Sequence, residues 1–295
     1  MKMFCVHGPT ASGKTKFAVK LAQRFGGEII SADSRQVYRG MDIGTGKDLC
    51  EYGDVPVHLT DIVPAGTKYD IHHYQQDFSK AYNGILSRGH LPILCGGSGL
   101  YIESVTRGYS IPRVDTDPEF RRRCEELTDR EMISRLGELK HLHNSTDFDT
   151  RKRLIRALEI AEWQAAHPEE QAAYNASLPS FEEGDIKYIG LSVSREERNR
   201  RIDERLDARL KEGLVEEVQS LLGSGIPPQD LIYYGLEYKF VTRYLIGEIS
   251  YEWMREHLAI AIHQFAKRQM TWFRGMERRG IPIQWVCPDY DVSLL

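Results

Sequence analysis

The chain has 295 residues, of which 41% are hydrophobic and 10% aromatic, enough to build a sizeable core in one large domain or two unequal ones. Lysine and arginine total 39 against 43 acidic residues, a net charge of −4, which excludes a uniformly basic nucleic-acid coat but leaves room for a local basic face. The 5 cysteines are scattered and form no CxxC pair, so neither a disulfide framework nor a zinc knuckle is supported.

In chain order, Met3–His7 reads as a short apolar strand that runs into Gly8. The start is too short for a signal peptide and lacks its cleavage site, and no stretch approaches the roughly 18 apolar residues of a membrane span. A cytoplasmic protein without membrane attachment is the expectation. Residues 14–24 read as a helix with Phe17, Leu21 and Phe25 on one stripe, and Glu28–Ser31 as a second strand closed by Asp33 and Ser34. Further strands are expected at Pro56–Ile62, Leu91–Cys95, Ile186–Val193 and Ile281–Val286, with helices over 74–87 and 195–222. Strands alternating with helices predict an α/β fold with a mainly parallel sheet and flanking crossover helices.

Residues 113–185 break that rhythm: Asp117 to Ala166 is charged and helix-friendly, and Pro168, Pro179 and Gly184 punctuate the return to the strand at 186. The expected organisation is therefore an α/β core from 1–112 and 186–295 with a helical insertion at 113–185. His72 and His73 are adjacent and point apart in regular structure, and His141 and His143 lack an obvious third ligand, so no metal site is expected there.

Gly8-Pro9-Thr10-Ala11-Ser12-Gly13-Lys14-Thr15 fits GxxxxGK(S/T) completely and lies between a strand and a helix. Glycines let successive N–H groups turn inward on phosphate oxygens, and the helix N-terminus adds its positive dipole end. Lys14 would reach the phosphates, and Thr15 would offer its hydroxyl to Mg²⁺. The motif does not say which phosphate. The later strand Leu91–Cys95 ends in Gly96-Gly97-Ser98-Gly99 without a carboxylate, whereas Asp33 follows a strand end, where the ligand crevice of a parallel sheet opens. A carboxylate there suits a metal ligand or a general base; an Asp-Ser helix cap or turn is the bland alternative.

With those residues in place, the chain resembles the tRNA dimethylallyltransferases, also called tRNA isopentenyltransferases or the MiaA family. The resemblance rests on GPTASGKT, on Ser31 to Thr45 (SADSRQVYRGMDIGT), on Gly96 to Tyr101 (GGSGLY), on Arg153 to Glu159 (RLIRALE) and on Ala266 to Arg274 (AKRQMTWFR). These blocks occur in the family's order and span nearly the whole chain, so they are far more specific than the phosphate loop alone. The resemblance implies a P-loop NTPase-like fold in which Gly8 to Thr15 hold the diphosphate of dimethylallyl diphosphate, with Mg²⁺ at Thr15. The acceptor would be N6 of the adenosine just 3′ of the anticodon in a tRNA anticodon loop. Asp33 would be the base, with Lys14, Thr10 and Arg268 meeting the leaving group. Asp33, Ser34, Arg35, Gln36 and Ser98 would bind the target nucleotide; in the insertion, Arg122, Lys152, Arg153, Ile155 and Arg156 would grip the tRNA. No zinc finger follows the last block, so the bacterial type is expected.

Departures from the family pattern are Lys152-Arg153 for a Gln-Arg pair, Thr146 to Arg151, His263 for an arginine, Tyr234 to Lys239, Gly46 for an alanine and Ser98 for a threonine. They bear on tRNA preference rather than on Thr10, Lys14, Thr15, Asp33 or Arg268. On composition alone Arg121-Arg122-Arg123 and Arg151-Lys152-Arg153 read as solvated helix faces. Arg195, Arg198, Arg200, Arg201, Arg205 and Arg209 alternate with acids, a pattern of surface salt pairing, although one of these arginines could reach the diphosphate. Ile202, Leu206, Leu210 and Leu214 form the core stripe of the same helix. Tyr233, Tyr234, Trp272 and Phe273 are candidates for stacking on bases, with packing favoured for Trp272 and Phe273. No exposed heptad or dimer stripe is evident, so a monomer is expected. The alternatives are a phosphate-loop kinase of a nucleotide or small metabolite, an AMP or ADP isopentenyltransferase, and an RNA-binding module without catalysis.

Overall fold

The strand β1 (Met3–His7) is buried along its whole length, and its side chains part to opposite faces with the period of two that a pleated strand imposes. Met3 and Cys5 enter one hydrophobic cluster, Phe4 and Val6 another. The computed structural model describes residues 1–109, 111–139 and 150–295. In it β1 leads through the phosphate loop to helix α1 (Lys14–Phe25), which buries Phe17 and Leu21. Phe25, expected on the same stripe, is partly exposed at the helix end with its ring 5.3 Å from that of buried Phe4, and Gly26 closes the helix in the left-handed region.

Strand β2 (Gly27–Ser31) follows, then two-residue strands β3 (Tyr38–Arg39), β4 (Val57–His58) and β5 (Val63–Pro64). The longer strand expected over Pro56–Ile62 is cut short. Only Val57 and His58 pair with β2, because Leu59 and Asp61 take positive φ and turn the chain toward a separate β3–β5 ladder. Helix α2 (Ile71–Ser87) is capped by Asp70, and strand β6 (Leu91–Gly96) and helix α3 (Gly99–Thr106) complete the first half. Strand β7 (Ile186–Leu191) resumes the sheet after the helical segment described below.

The helix expected over 195–222 is two: α8 (Arg195–Glu212) and α9 (Leu214–Gly223). Gly213 at φ 106° ends the first, a backbone state that disfavours any residue with a Cβ. Short helices α10 (Pro228–Tyr233) and α11 (Leu236–Leu245) lead to α12 (Tyr251–Arg278), capped by Ser250, and to strand β8 (Ile283–Val286). Among the described residues six strands form one sheet in the order β4-β2-β6-β1-β7-β8, every pair parallel. A parallel sheet must be covered on both faces. Phe4, Val6, Ile29, Ile93, Ile189 and Leu191 meet Phe17 and Leu21 of α1, while Met3, Cys5, Ile30, Leu94 and Tyr188 meet the cluster holding Phe78, Ile102 and Phe273.

The chain divides into two compact units, Met1–Tyr109 with Ser180–Leu295, and Ser110–Pro179. The second contains α-helices at Pro118–Glu125, Asp129–Leu139, Arg151–Ala166 and Pro168–Ser177, and no strand among its described residues. Its own core is Phe120, Cys124, Met132, Leu136, Leu154, Leu158 and Ala161, spaced at helical intervals on the first three helices. Residues 180–185, placed in the insertion on sequence grounds, belong to the sheet unit. Phe181 meets the Tyr82 ring edge-on at 5.3 Å, and the Asp185 carbonyl accepts from Lys2 and Met3 N–H at the head of β1.

Candidate active site

The loops that leave β1, β2 and β6 at their carboxyl ends line one cavity of about 1080 Å³, where the crevice of a parallel sheet is expected. Thr10, Ala11 and Gly13 to Thr15 come from the first loop and the start of α1, Asp33 to Gln36 from the second loop and Gly96 to Leu100 from the third. Their close approach requires small residues. A Cβ on Gly96 would lie 2.2 Å from the Ala32 carbonyl oxygen, so β6 and the loop after β2 sit together only with glycine there.

Gly13 caps α1 in the left-handed region at φ 84°, and Lys14 Nζ donates back to the Pro9 carbonyl at 2.8 Å. Burial lowers the Lys14 ammonium to about 8, and nearby Arg205 pushes the same way. Arg205, from α8, donates to the Thr10 hydroxyl. Its guanidinium is also lowered, to about 10, by burial and then by Arg209. The loop thus collects cationic groups in the wall of the cavity, a setting in which an anion is attracted.

Gln269 on α12 ties two of these loops together. Its Oε1 accepts from Thr10 N–H at 2.8 Å and its Nε2 donates to the Gly97 carbonyl at 2.9 Å. Arg268, the next residue, is exposed at the cavity edge with its guanidinium 5.9 Å from the Phe265 ring centroid, and has no carboxylate partner among the described residues.

Asp33 lies half-buried in the cavity wall, its Oδ1 accepting the Arg35 N–H at 2.9 Å. Ser98 Oγ accepts the Ser34 N–H at 3.3 Å, joining the second and third loops. Gln36 has both ends of its amide occupied: Oε1 accepts from Ser31 Oγ at 3.1 Å, and Nε2 donates to the Gly46 carbonyl at 3.0 Å. Gly46 belongs to a loop that Glu217 of α9 holds by accepting Asp42, Ile43 and Gly44 N–H at 2.7, 2.7 and 3.0 Å, while Tyr238 donates to the same carboxylate at 2.6 Å.

Arg209 is buried, between Asp48 at 4.0 Å and Glu237 at 3.8 Å. Burial raises the Glu237 carboxyl above its usual range, Arg209 opposing. His7 at the end of β1 is also buried, its ring tilted against that of Phe273 at 4.5 Å; burial, with Lys14 nearby, lowers its imidazole to about 3, so it is neutral.

Among residues singled out from sequence, the structure brings together Gly8 to Thr15, Asp33 to Gln36, Ser98 and Arg268 in the sheet unit. Arg122, Lys152 and Arg153 are exposed on the helical unit. Arg121 and Arg156 there both pair with the buried Glu159, Arg156 at 2.5 Å and also donating to the Val114 carbonyl at 2.7 Å. Ile155 packs against that unit's core. Arg151 donates to the Cys124, Glu125 and Leu127 carbonyls and pairs with Asp129. His141, His143 and Thr146 to Asp149 lie outside the described residues. His263, flagged for charge near the site, bonds Asp203 at 2.7 Å and ties α12 to α8.

Sequence reasoning missed a specific role for Arg205, Arg209 and Gln269. Arg200 pairs with Glu197 and Glu204, and Arg201 with Glu197, as surface pairing predicts, yet Arg201 also lines the cavity with Arg205 and Arg209. A signal was present: they recur every four residues, one stripe beside Ile202, Leu206 and Leu210, so they share a helix face next to the buried one. Trp272, expected to pack like Phe273, does pack against the core cluster, and its half-buried ring also reaches the cavity wall, where Gly99 leaves room for it; a Cβ there would lie 2.2 Å from the indole.

Residues 36–276 match the family model for IPP transferase, and residues 1–52 that for isopentenyl transferase. The tRNA dimethylallyltransferase 1 of Porphyromonas gingivalis is 55% identical over 96% of this chain and 93% of that protein. That of Parabacteroides distasonis is 51% identical over 97% of this chain and 92% of that protein. Among solved structures, the full-length tRNA isopentenylpyrophosphate transferase of Bacillus halodurans superposes with a TM-score of 0.70 at 32% identity, covering 99% of this chain and 92% of that one. A eukaryotic dimethylallyltransferase solved in snapshots acting on tRNA shares the fold, with a TM-score of 0.75 at 21% identity, over 99% of this chain and 75% of that one.

Proposed function

The chain belongs to the tRNA dimethylallyltransferases, and from that premise we propose that its cavity transfers a dimethylallyl group from dimethylallyl diphosphate to N6 of the adenosine 3′-adjacent to the anticodon in tRNA, releasing diphosphate. The observation that carries this reading is that the phosphate loop and Asp33 open into the same cavity. One end suits a leaving group of high negative charge, and the other a nucleophile that must lose a proton.

The amine of adenine is a weak nucleophile because its lone pair is delocalised into the ring. As the new C–N bond forms and the allylic C–O bond breaks, the amine proton passes to Asp33. Arg35 N–H orients Oδ1 and leaves Oδ2 to accept. A positioned base of this kind contributes on the order of 10²–10⁴ in rate. The charge growing on diphosphate is met by Lys14, the loop amides, Arg205 through its contact with Thr10, and Arg268. Thr10 can still donate its hydroxyl proton while accepting from Arg205.

The cavity wall offers hard oxygen donors, the Thr15 hydroxyl and the Asp33, Asp48 and Glu51 carboxylates, and no group of three or more His, Cys, Asp or Glu forms a ready cage among the described residues. That donor set suits Mg²⁺, which keeps water and takes substrate phosphate oxygens in preference to an all-protein shell. Thr15 would hold it, and when bound it would offset charge on the departing diphosphate. The target base must leave its stack to enter, which costs a few kcal/mol and least in a single-stranded loop. Ser34, Arg35, Gln36 and Ser98 are proposed to hold that nucleotide, and the exposed Arg122, Lys152 and Arg153 to contact the tRNA backbone. Arg156 and Ile155 would support that surface from beneath, given their contacts with Glu159 and the helical core.

The test is transfer of labelled dimethylallyl groups to unmodified tRNA, to AMP, and, with ATP as donor, of phosphoryl groups to small acceptors. Label on tRNA that is lost with Asp33→Ala is the expected result. Label on AMP alone, or ATP turnover without prenyl transfer, would overturn the proposal.

A further inference from the structure

Tyr233 and Tyr234 are neighbours in sequence at the end of α10, yet they meet opposite fates. Tyr234 is buried, its ring 4.5 Å from that of Tyr38, its hydroxyl accepting the Gly66 N–H at 2.8 Å and donating to the Thr67 carbonyl at 3.3 Å. Tyr233 is 71% exposed at the cavity wall, the most exposed of the large hydrophobic side chains among the described residues. The Arg35 guanidinium lies 5.2 Å from its ring centroid. Arg35 in turn donates its backbone N–H to Asp33, so the exposed ring borders the segment that carries the proposed base.

An isolated exposed tyrosine needs no explanation. This one is set on a buried, doubly hydrogen-bonded neighbour, lies in the wall of the cavity that takes the target base, and carries a guanidinium with no carboxylate partner among the described residues. An aromatic ring beside a planar cation is the pairing that single-stranded nucleic acid uses, since every base has a π-face and the phosphate beside it attracts the cation.

We propose that Tyr233 is a stacking platform for the base adjacent to the target adenosine, on the same strand, and that Arg35 closes the other side of the step by its charge. Tyr233 is thus a positioning and specificity-determining residue for the acceptor and has no part in handling diphosphate. The inference rests on the tRNA-directed reading of the cavity.

The experiment uses the full chain, dimethylallyl diphosphate and anticodon stem-loops. One set of stem-loops carries 2-aminopurine, and another an abasic site, on either side of the target adenosine. Tyr233→Ala is expected to raise KM for the intact stem-loop about 10-fold, the scale of one lost base–aromatic stack. kcat and the KM for dimethylallyl diphosphate should not move, and Tyr233→Phe should behave as the parent. One of the two abasic stem-loops should abolish the difference between parent and Tyr233→Ala. Binding should quench 2-aminopurine at that same position with the parent and Tyr233→Phe, but not with Tyr233→Ala.

A stem-loop KM within twofold of the parent for Tyr233→Ala would overturn the proposal, as would a penalty that persists with both abasic stem-loops. A rise in the diphosphate KM would also overturn it, by assigning Tyr233 a structural role. Failure of the parent chain to prenylate any stem-loop or tRNA would overturn the broader reading instead, and the two failures are told apart by the parent alone.

Discussion

Replacing Gln269 tests whether the catalytic loops are held by helix α12 or by their own geometry. Its amide bridges the Thr10 N–H and the Gly97 carbonyl at 2.8 and 2.9 Å, and the side chain is buried. Gln269→Ala removes two hydrogen bonds and leaves the Thr10 N–H and the Gly97 carbonyl, both in the cavity wall, without a protein partner, each loss costing about 1–2 kcal/mol. The expected loss is about 2–4 kcal/mol, which in a protein of this size lowers the melting temperature of the sheet unit by roughly 5–12 °C. Gln269→Glu is the sharper probe because it is nearly isosteric. A carboxylate still accepts from Thr10 N–H, but it opposes the Gly97 carbonyl and brings negative charge to the phosphate loop. Its KM for dimethylallyl diphosphate should rise by more than that of the alanine variant, even where its melting temperature falls by less. Thermal unfolding followed by circular dichroism, with steady-state kinetics on both variants, reads these effects. A melting temperature within 2 °C of the parent, together with a diphosphate KM within twofold, would refute the reasoning.

Burial holds Lys14 at about 8, so it is protonated below that pH and neutral above it; the KM for dimethylallyl diphosphate should climb from pH 8 upward, approaching tenfold per pH unit, and the pH dependence should vanish in Lys14→Met. Arg205→Ala should raise the same KM by about 10- to 100-fold, the scale of one charged hydrogen bond, whereas Arg200→Ala, which removes an exposed pair with Glu197 and Glu204, should leave kinetics unchanged. Glu28 is buried under Arg88, His58 and His90, and the Arg88 contact above all lowers its carboxyl from 4.5 to about 2. Because the folded value lies below the unfolded one, its stabilising contribution is complete above about pH 4.5 and is lost as pH falls toward 2. The melting temperature of Glu28→Gln should therefore lie below the parent's at pH 7 and converge with it between those values.

Much of the fold was legible because it depends on local pattern. Met3–His7, Leu91–Cys95 and Ile186 onward are short apolar runs that end at glycine or polar residues, and Phe17 and Leu21 are spaced for one helix face. The phosphate loop declared itself because the backbone it needs admits few residue types, and Asp33 because it follows a strand end. The strand that shrank to Val57–His58 and the helix that broke at Gly213 depend on positive φ at Leu59, Asp61 and Gly213, which short-range hydrophobic pattern does not report.

The site divides along the same line. The linear sequence determined the residues a phosphate needs, Gly8 to Thr15, because adjacent backbone amides do that work and adjacency is what a sequence records. It did not distinguish Arg205 from Arg200, both arginines on one helix among acids; only the packing of α8 decided that one reaches Thr10 while the other pairs with Glu197 and Glu204 in solvent. Gln269 and Trp272, remote from the loops in sequence, gained their roles when α12 was laid on the sheet beside Gly97 and Gly99. Tyr233 and Tyr234 differ by one position, about 100° around a helix, and that rotation put one ring in the core and left the other at the cavity mouth. A side chain's chemistry is written in its own atoms, but its partner is chosen by the face of the element that the rest of the chain buries.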